Sequence, residues 1–381
     1  METSSKVALV FCEQYVLTDV CAAVKKGLDL LGGAGKFTDP GEKILIKPNL
    51  LVGEDPQRSI SPHPTVFQAV LEQFQAAGAQ LSFGDSPGFG SPRAAARRSG
   101  LLPVADSLGV PLADFQTAET VSFPDGNLIK QFSLAKGVLE ADGLVSLCKL
   151  KSHALTRVTG AIKNQFGCIP GLAKAEFHSK LPNAELFSKM LVDLNLCIKP
   201  RLYIMDGIVG MEGNGPRNGT PRPMRVLLFS ADPVALDAAV CHMIHLDETL
   251  VEPLVWGNAY GLGTIHFELI GDPIERFDAP DFQVNRARLS TTTSDLGILS
   301  TQLMRNYVSP RPVILAERCS KCGRCLDACP AQPKALVWEN GRTTPPVYHY
   351  EDCIRCYCCQ ELCPSDAITV KTPLLGRLIH R

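Results

Sequence analysis

The sequence predicts an α/β fold, with a mainly parallel sheet covered by helices on both faces, followed by a small cysteine-rich α+β domain. Two observations predict the larger part: short apolar runs alternate with helical stretches, and polar residues follow the ends of these runs. A third observation predicts the smaller part, because nine of the 15 cysteines lie between Cys319 and Cys363. We therefore expect two domains, residues 1–308 and 309–381.

Short apolar runs predict the strands of the sheet. These runs are 7–11, 44–46, 81–83, 144–147, 202–205 and 226–229. Helical spacing predicts helices over 18–31, 64–77 and 234–244. In the second of these, Pro64 suits the first turn and Gly78 can end the helix. Because strands and helices alternate, the sheet is expected to be mainly parallel, with helices on both faces.

Polar side chains follow these strands. The endings are 47–49, 84–88, 149–153, 206–207 and 230–232. Ligands of open α/β sheets bind outside the carboxyl ends of the strands, so the endings together predict one site. Each motif alone is equally an ordinary turn or helix cap. The predicted substrate-binding residues are Lys47, Asn49, Asp85, Asn164 and Glu212, and the predicted catalytic residues are Lys151, His153, Lys163, His178 and Asp206.

Lysine and histidine suit the binding of an anionic substrate or the movement of a proton, since both donate strongly and histidine titrates near neutrality. His153 and His178 are alternatively metal ligands, together with an acid such as Asp206. Cys168 is either a redox thiol or an inert cysteine. The glycine-rich loop 210–216 matches neither the dinucleotide fingerprint nor the P-loop, so it predicts no nucleotide site.

Two cysteine spacings repeat in the cysteine-rich part. They are Cys319-x2-Cys322-x2-Cys325-x3-Cys329-Pro330 and Cys353-x2-Cys356-x2-Cys359-x3-Cys363-Pro364. This spacing is typical of bacterial ferredoxins, in which three close cysteines and the fourth cysteine of the other run hold a [4Fe–4S] cluster. Two complete runs make a pair of zinc sites the weaker interpretation. The predicted ligands are Cys319, Cys322, Cys325 and Cys363 for one cluster, and Cys353, Cys356, Cys359 and Cys329 for the other.

Several residues among these ligands have open roles. Cys358 is interpreted as a bystander, with an alternative ligand as the second interpretation. Four basic residues either raise the cluster potential through their charge or are simply solvated, and solvation is the preferred interpretation. They are Arg318, Lys321, Arg324 and Arg355.

The chain resembles the domain of unknown function 362 family. The blocks that carry the resemblance are Lys47-Pro48-Asn49, Gly84-Asp85-Ser86, Lys151-Ser152-His153, Lys163-Asn164-x2-Gly167, Asp206-Gly207-Ile208 to Met211-Glu212-Gly213-x-Gly215-Pro216, and Asp232-Pro233-x-Ala235-x-Asp237. Members often carry a double [4Fe–4S] ferredoxin module at the carboxy-terminal side, but the resemblance implies no reaction. It covers about residues 1–270 and the cysteine-rich part, and we expect 272–310 to pack the two domains together.

Charge and hydropathy restrict the partners. The 38 Lys+Arg and 39 Asp+Glu give a formal net charge of −1, so nothing favours nucleic acid or a membrane surface. No apolar run reaches the roughly 18–20 residues of a bilayer span, and the first residues do not resemble a secretory signal. We expect a cytoplasmic protein, whose thiols stay reduced and available to metals.

Two functions fit these observations. The first is an iron–sulfur oxidoreductase that takes electrons from a ferredoxin-like or other redox partner and delivers them to a small molecule in the α/β cleft. Lys47, Lys151 and Lys163 would hold the negative or carbonyl oxygens of the substrate, and His153 or His178 would supply protons. A further metal or cofactor in the cleft is compatible with this function. The alternative is a non-catalytic electron-transfer or docking subunit of a larger redox system.

Overall fold

The computed structural model describes residues 5–171, 173–287 and 306–379. The strands are β1 Ser5–Phe11, β2 Lys43–Pro48, β3 Gln80–Phe83, β4 Ala118–Ser122, β5 Gln131–Ala135, β6 Gly143–His153, β7 Arg157–Val158, β8 Leu202–Glu212, β9 Thr220–Ser230, β10 Phe267–Gly271, β11 Arg311–Ile314, β12 Leu336–Val337, β13 Val347–Tyr348 and β14 Ile368–Lys371.

The α-helices are α1 Leu17–Leu30, α2 Pro64–Ala76, α3 Pro92–Arg98, α4 Leu101–Ser107, α5 Lys136–Leu139, α6 Gly160–Asn164, α7 Ala173–Lys180, α8 Ala184–Ile198, α9 Pro233–Met243, α10 Glu252–Ala259, α11 Arg324–Asp327, α12 Cys358–Glu361 and α13 Leu374–Ile379. Short 3₁₀ turns lie at Ala34–Lys36, Pro56–Arg58, Gln165–Cys168, Glu248–Leu250, Ile274–Phe277 and Ala316–Arg318. Within the described residues, no helix is both long and apolar enough to cross a membrane.

The central sheet has the strand order β10-β1-β9-β8-β6-β2-β3, with β7 added against β6. The neighbours β1 and β10, β6 and β8, β2 and β6, and β2 and β3 are parallel. Strand β9 is antiparallel to both of its neighbours, β1 and β8. The predicted α/β class with a mainly parallel sheet is confirmed, and the direction of β9 carries its end to the opposite edge.

Helices bury both faces of the sheet because side chains of the strands alternate between them. On one face, Val24 of α1 and Val70 of α2 pack with Ile46 and Val145. On the other face, Phe187 of α8 and Val234 of α9 pack in one cluster with strand residues such as Cys148 and Met205. The strands therefore read as continuous apolar runs until they reach the edge where the charged residues begin.

All six predicted strands are present, but three of them are much longer than the apolar runs indicated. Strands β6, β8 and β9 each extend for 11 residues, and the first two run through Lys149, Lys151 and Asp206. These residues therefore lie within strands rather than after them. Lys149 and Asp206 pair with each other there, whereas Lys151 donates to neutral oxygens. Helix α8 and the β4–β5 hairpin were not predicted.

The cysteine-rich part is built from short elements. Strands β11 and β14 pair antiparallel, as do the two-residue strands β12 and β13. Helices α11 and α12 each have four residues and each begins within a cysteine run. Half of the small buried cluster consists of cysteines, namely Cys325, Cys359 and Cys363, beside Leu336, Ala367 and Ile368. Such a core is too small to be the main source of stability.

The segment predicted to pack the two domains together lies partly outside the described residues, because 288–305 are not described. Near the start of the segment, the carbonyl of Gln283 accepts the backbone N–H of Gly213, which belongs to the α/β domain. On the cysteine-rich side, the Tyr357 hydroxyl donates to the carbonyl of Pro310 at 3.0 Å. Each described end of the segment thus contacts the domain nearest to it in the chain.

Candidate functional site

The parallel strands β2, β3, β6 and β8 bring their polar residues to one edge of the sheet. Lys47 Nζ lies 2.8 Å from Asp85 Oδ1, and both side chains are buried. The same ammonium donates to Asn164 Oδ1 at 3.2 Å. Because an unpaired charge is costly in this environment, the pair and its amide neighbour form a fixed unit.

Gly167 explains part of the motif that follows Lys163-Asn164. A Cβ atom at this position would lie 1.8 Å from Asp85 Oδ1 and 2.9 Å from Lys47 Nζ. Gly167 also accepts the backbone N–H of Ser86 at 3.0 Å. The glycine is therefore needed for the close approach of the Lys47–Asp85 pair.

A second buried ion pair lies beside the first. Lys149 and Asp206 are register partners on β6 and β8, and Lys149 Nζ lies 2.7 Å from Asp206 Oδ2. The hydroxyl of Tyr15 donates to Asp206 Oδ1 at 2.9 Å and accepts from Lys149. Asp206 also accepts the backbone N–H of His63 at 2.9 Å. With its oxygens occupied in this way, Asp206 supports the site rather than facing a ligand.

Lys151 is engaged with neutral oxygens. Its ammonium donates to Asn49 Oδ1 at 2.6 Å and to the carbonyl of Ile60 at 2.8 Å. Burial, followed by the positive charge of Lys163, lowers the pKa of Lys151 well below its usual value. Lys151 thus positions Asn49, which reaches the cavity described next.

A cavity of about 350 Å³ lies between the strand ends and the cysteine-rich domain. Its polar lining residues from the α/β domain are Asn49, Asp85, Ser86, Lys163, Asn164, Lys174 and His178. From the cysteine-rich domain it receives Arg324, Asp327, Cys329, Cys358 and Glu361. Apolar groups such as Leu51, Phe89 and Phe166 complete the wall. Its size and mixed lining suit a small molecule with a polar end.

Three side chains of the α/β domain at the cavity differ in how far other groups engage them. Within the described residues, Lys163 makes no hydrogen bond or ion pair, although its ammonium lies 6.0 Å from the ring of Phe166. His178 is buried and stacks on Phe187 with ring centroids 4.5 Å apart, and its Nδ1 atom has no hydrogen-bond partner. Lys174 donates to the carbonyl oxygens of Ser86 and Pro87 and to the Ser86 hydroxyl.

Burial sets the protonation of these groups. It lowers the pKa of His178 to about 4, so the imidazole is neutral at pH 7 and offers a hydrogen bond rather than a positive charge. Burial also lowers the pKa of Lys174 to about 8, so this lysine is an ammonium ion near neutrality. The expected role of His178 as a proton donor is therefore weakened, because a neutral imidazole is a weak acid.

His153 faces the other domain. Its Nδ1 accepts the backbone N–H groups of Leu155 and Thr156 at 3.0 and 3.2 Å. Burial, followed by the charge of Lys163, lowers the pKa of His153 to about 4, so the ring is neutral and Nε2 carries the hydrogen. Nε2 lies 2.9 Å from Glu361 Oε1 in α12. His153 thus connects the α/β domain to the helix that follows Cys356.

The glycine-rich loop 210–216 is a docking surface for the cysteine-rich domain. Gln360 Nε2 donates to the carbonyl oxygens of Asn214 and Gly215 at 2.9 and 3.1 Å. Asn214 Nδ2 donates in turn to Asp366 Oδ1 at 2.9 Å. Nearby, Asn218 Nδ2 donates to the carbonyl of Cys363 at 3.0 Å. The loop therefore recognises a protein surface beside the cysteines, which explains why it lacks a nucleotide-binding pattern.

The predicted cluster ligands fall into two groups. Cys319, Cys322, Cys325 and Cys363 line one small cavity of the cysteine-rich domain, and we call them the first cysteine group. Cys329, Cys353, Cys356 and Cys359 are called the second cysteine group. In this second group Cys353 is close enough to Cys356 and Cys329 for their charges to interact. Four thiols per group, drawn from both runs, fit the donor set of a [4Fe–4S] cluster.

The predicted α/β site residues separate into three sets. Those that line the interdomain cavity are Asn49, Asp85, Lys163, Asn164 and His178. Those that lie behind it as support are Lys47, Lys151, His153 and Asp206. The structure does not bring Glu212 to the cavity, because its carboxylate accepts the backbone N–H of Gln283 at 3.0 Å.

Two further expectations are corrected by the geometry. The ending 230–232 was grouped with the others, but β9 is antiparallel, and Asp232 accepts from Ser5 at the start of β1. The alternative of a metal site at His153, His178 and Asp206 finds no support. Among described residues, the group whose ligand atoms lie within 4.8 Å of one another is His349, Glu351 and Asp352, which is distant in sequence from all three.

The cysteines outside the two groups also differ from one another. Cys168 is fully buried, and burial raises its pKa to about 12, which favours the inert interpretation. Cys358 is buried and lines the interdomain cavity. Cys358 therefore contacts the cavity, unlike a cysteine enclosed in a core. This position does not indicate that Cys358 is a cluster ligand.

Sequence reasoning missed Lys149, Tyr15 and Glu361 as parts of this site. Lys149 could have been found, because residues two apart in a strand share a face and Lys149, Lys151 and His153 have that spacing. Tyr15 and Glu361 carry no local signal, since only the tertiary structure brings them to β8 and His153.

Comparisons with known proteins agree with this architecture. The family model described as a domain of unknown function, DUF362, matches residues 44–242, and a 4Fe-4S dicluster domain matches residues 318–367. The chain is 37% identical over 264 residues to the Thylakoid-associated protein sll1697 of Synechocystis, an alignment that covers 69% of this chain and 82% of that protein.

A solved structure, the lactate racemase apoprotein from Thermoanaerobacterium thermosaccharolyticum, matches with a TM-score of 0.43 and 11% identity. The match covers 64% of this chain, and the chain spans 57% of that protein. At that similarity, nothing about the activity of the racemase transfers to this chain. The matches to sequence families are decisive: the chain belongs to the DUF362 family and carries a 4Fe-4S dicluster domain, which makes it an iron–sulfur protein of the electron-transfer type.

Proposed function

We propose that the protein is an iron–sulfur oxidoreductase whose substrate is a small anionic compound bound in the interdomain cavity. The observation that carries the proposal is that one cavity is lined both by Cys329, a predicted cluster ligand, and by Lys163, whose ammonium is not engaged by any described residue. A cluster held by the second cysteine group would supply one-electron chemistry at the wall of this cavity.

The residues of the chain would bind and orient the substrate. Within the described residues Lys163 has no hydrogen bond or ion pair, and it would hold a carboxylate or carbonyl oxygen, since a charge-assisted hydrogen bond is among the strong polar contacts. Lys174 adds a further positive charge from beside Ser86, and His178 offers a ring nitrogen that no described residue engages. Leu51, Phe89 and Phe166 would contact the apolar part of the ligand.

In this proposal Lys47 and Lys151, which the sequence predicted to hold the substrate, do not touch it. Lys47 is paired with Asp85, and Lys151 donates to Asn49 and Ile60. Their role in the proposal is to hold Asp85 and Asn49 in place. Reduction of a carbonyl group consumes two electrons and two protons, so an external low-potential donor would supply the electrons singly and water entering the cavity would supply the protons.

The test uses full-length, anaerobically reconstituted protein with reduced methyl viologen as donor. A panel of small carboxylic acids that contain a reducible carbonyl or alkene is added, and donor oxidation is followed. We expect a member of the panel to stimulate oxidation. Lys163→Met should lower kcat/KM about 30- to 160-fold, because a hydrogen bond to a charged group contributes about 2–3 kcal/mol.

Lys180→Met is the matched control, since Lys180 is exposed on α7 and pairs with Glu176 on the same helix. It should leave turnover unchanged, and neither variant should alter cluster reduction by the donor. Clusters that reduce normally without any panel-dependent turnover would favour the alternative, a non-catalytic electron carrier with the α/β domain as a docking module.

The compartment belongs to the same set of proposals. We retain a cytoplasmic location as a prediction from the sequence, while the name of the cyanobacterial relative associates that relative with thylakoids. Fractionation of cells in high and low salt would distinguish a freely dispersed protein from one held at a membrane by a protein partner.

A further inference from the structure

Among the described residues, Arg355 is a buried charge without a counter-charge. It lies between Cys353 and Cys356 and is 1% exposed. Its Nη2 atom donates to Asn306 Oδ1 at 2.6 Å, but Nε and Nη1 are buried and have no hydrogen-bond partner in the described part of the chain. No carboxylate among the described residues forms an ion pair with it. Burying an arginine in this way is costly unless something anionic compensates the charge.

A cluster held by the second cysteine group would supply the negative charge that the described residues do not provide for Arg355. A [4Fe–4S] cluster with four thiolate ligands carries net negative charge, and that charge grows by one on reduction. Arg355 lies two residues after Cys353 and directly before Cys356. Its guanidinium lies 5.1 Å from the ring centroid of Tyr350.

Tyrosine side chains extend the same arrangement. Tyr350 stacks on Tyr348 with ring centroids 5.3 Å apart. The hydroxyl of Tyr348 lies 3.2 Å from Cys359 Sγ, and it must be the donor once Cys359 is a thiolate ligand. Both a buried positive charge and a hydrogen bond to a ligand sulfur therefore act on the second cysteine group, and both favour the more negative, reduced state.

The first cysteine group also receives a hydrogen bond, from the backbone N–H of Ala367 to Cys363 Sγ at 3.3 Å. None of the basic residues along 318–325, however, is buried as Arg355 is. Cys322 is exposed, Arg318 and Lys321 are exposed as well, and Arg324 is half-buried against the ring of Phe89. Arg318 is paired with Asp366 at 3.0 Å, and Lys321 donates to the carbonyl of Thr343. Water around Cys322 also stabilises a reduced cluster, but Arg355 contributes a full charge where water is excluded, and this is the larger contribution.

We propose that Arg355 is the buried counter-ion of the cluster held by the second cysteine group. Its charge raises the reduction potential of that cluster above the potential of the cluster held by the first cysteine group. Because Cys329 lines the interdomain cavity, electrons entering at the exposed first group would come to rest beside the cavity. The direction of electron flow, towards reduction of the bound compound, rests on the proposed function. The order of the two reduction potentials rests on the residues around each cysteine group.

The experiment is an EPR-monitored redox titration of full-length reconstituted protein without any substrate. Arg355→Gln removes the charge, Arg355→Lys keeps it, and Lys321→Gln removes an exposed cation as the matched control. We expect Arg355→Gln to lower the potential of one cluster and leave the other in place, with Arg355→Lys close to the wild type. Lys321→Gln should shift neither potential appreciably, and Tyr348→Phe should lower the same potential as Arg355→Gln by a smaller amount.

Iron content separates the remaining outcomes. Loss of one cluster's iron in Arg355→Gln, restored in Arg355→Lys, also supports a counter-ion role. Unchanged potentials in Arg355→Gln at full iron content would overturn the proposal, as would equal loss of both clusters in the glutamine and lysine variants. The redox titration contains no substrate, so it tests the potentials independently of turnover. Failure of the panel to support turnover would not contradict the expected potentials, and unchanged potentials would not contradict turnover.

Discussion

The two domains hold their polar and metal-binding groups in place by different means. In the α/β domain, two large apolar clusters fix the strands, and the strands then fix Lys47, Asp85, Lys149 and Asp206. In the cysteine-rich domain, the largest buried cluster is small and half of it is cysteine. The comparison indicates that packing organises one side of the cavity, while metal coordination must organise the other.

Removal of iron should have the largest effect and should be confined to one region. Apo-protein prepared by anaerobic chelation is expected to lose protection from hydrogen exchange across 311–371, because the cysteine-rich domain has little other core. Strands β6 and β8 should keep their protection, measured by mass spectrometry against the holoprotein treated in parallel. Persistent protection of 311–371 in iron-free protein would contradict the comparison.

A methyl group at Gly167 should have the next largest effect, on the α/β domain. Gly167→Ala places a carbon 1.8 Å from Asp85 Oδ1. Displacing Asp85 leaves Lys47 as a buried unpaired charge, so we expect the free energy of unfolding to fall by roughly 3–5 kcal/mol. Urea unfolding followed by far-UV circular dichroism would measure it.

Gly35→Ala is the control for this variant. A Cβ atom at Gly35 meets nothing within 4 Å, so the free energy of unfolding should change by less than about 0.5 kcal/mol. If both variants unfold at the same urea concentration as the wild type, the Lys47–Asp85 pair is not constrained by Gly167.

The smallest expected effect concerns the cavity between the two regions. Lys174 is an ammonium ion below its pKa of about 8, so its charge is lost as the pH rises through 8, while Lys163 and Arg324 also line the cavity. Benzoate, which stays ionised throughout, is a suitable probe because its ring matches the apolar lining. Its Kd, measured by calorimetry on the holoprotein, should rise several-fold, up to about tenfold, between pH 7 and pH 9.

Lys174→Met should bind benzoate more weakly at pH 7 and should lose most of this pH dependence. Lys180→Met, on the exposed side of the same helix, should retain it. A pH dependence that survives in Lys174→Met would assign the titration to another group.

Local sequence was a good guide to elements that are regular. The apolar runs predicted all six strands, and the spacing around Pro64 predicted α2 within a residue. The direction of β9 was not predictable from its residues, because a buried strand has the same pattern whichever way it runs. For the same reason, grouping 230–232 with the other endings failed. The predicted endings 149–153 and 206–207 lie inside strands β6 and β8.

Site residues divide in a similar way. Asn49, Asp85, Lys163, Asn164 and His178 were predicted and do line the cavity. Glu212 was chosen by its place after a strand, but it lies at the far end of β8, which continues for 11 residues. Strand length depends on pairing with β6 and β9, and that pairing is a long-range property.

The sequence by itself determined the α/β class and the cysteine spacing that predicts the clusters, because both depend on periodicity and distances along the chain. Only the tertiary structure decided which polar groups are free. Lys47, Lys151 and Lys163 look equivalent in sequence. The first two are bound by groups from other segments of the chain, whereas Lys163 has no such partner among the described residues. Arg355 likewise differs from Lys321 in being buried, and a charge acts strongly only where water cannot screen it.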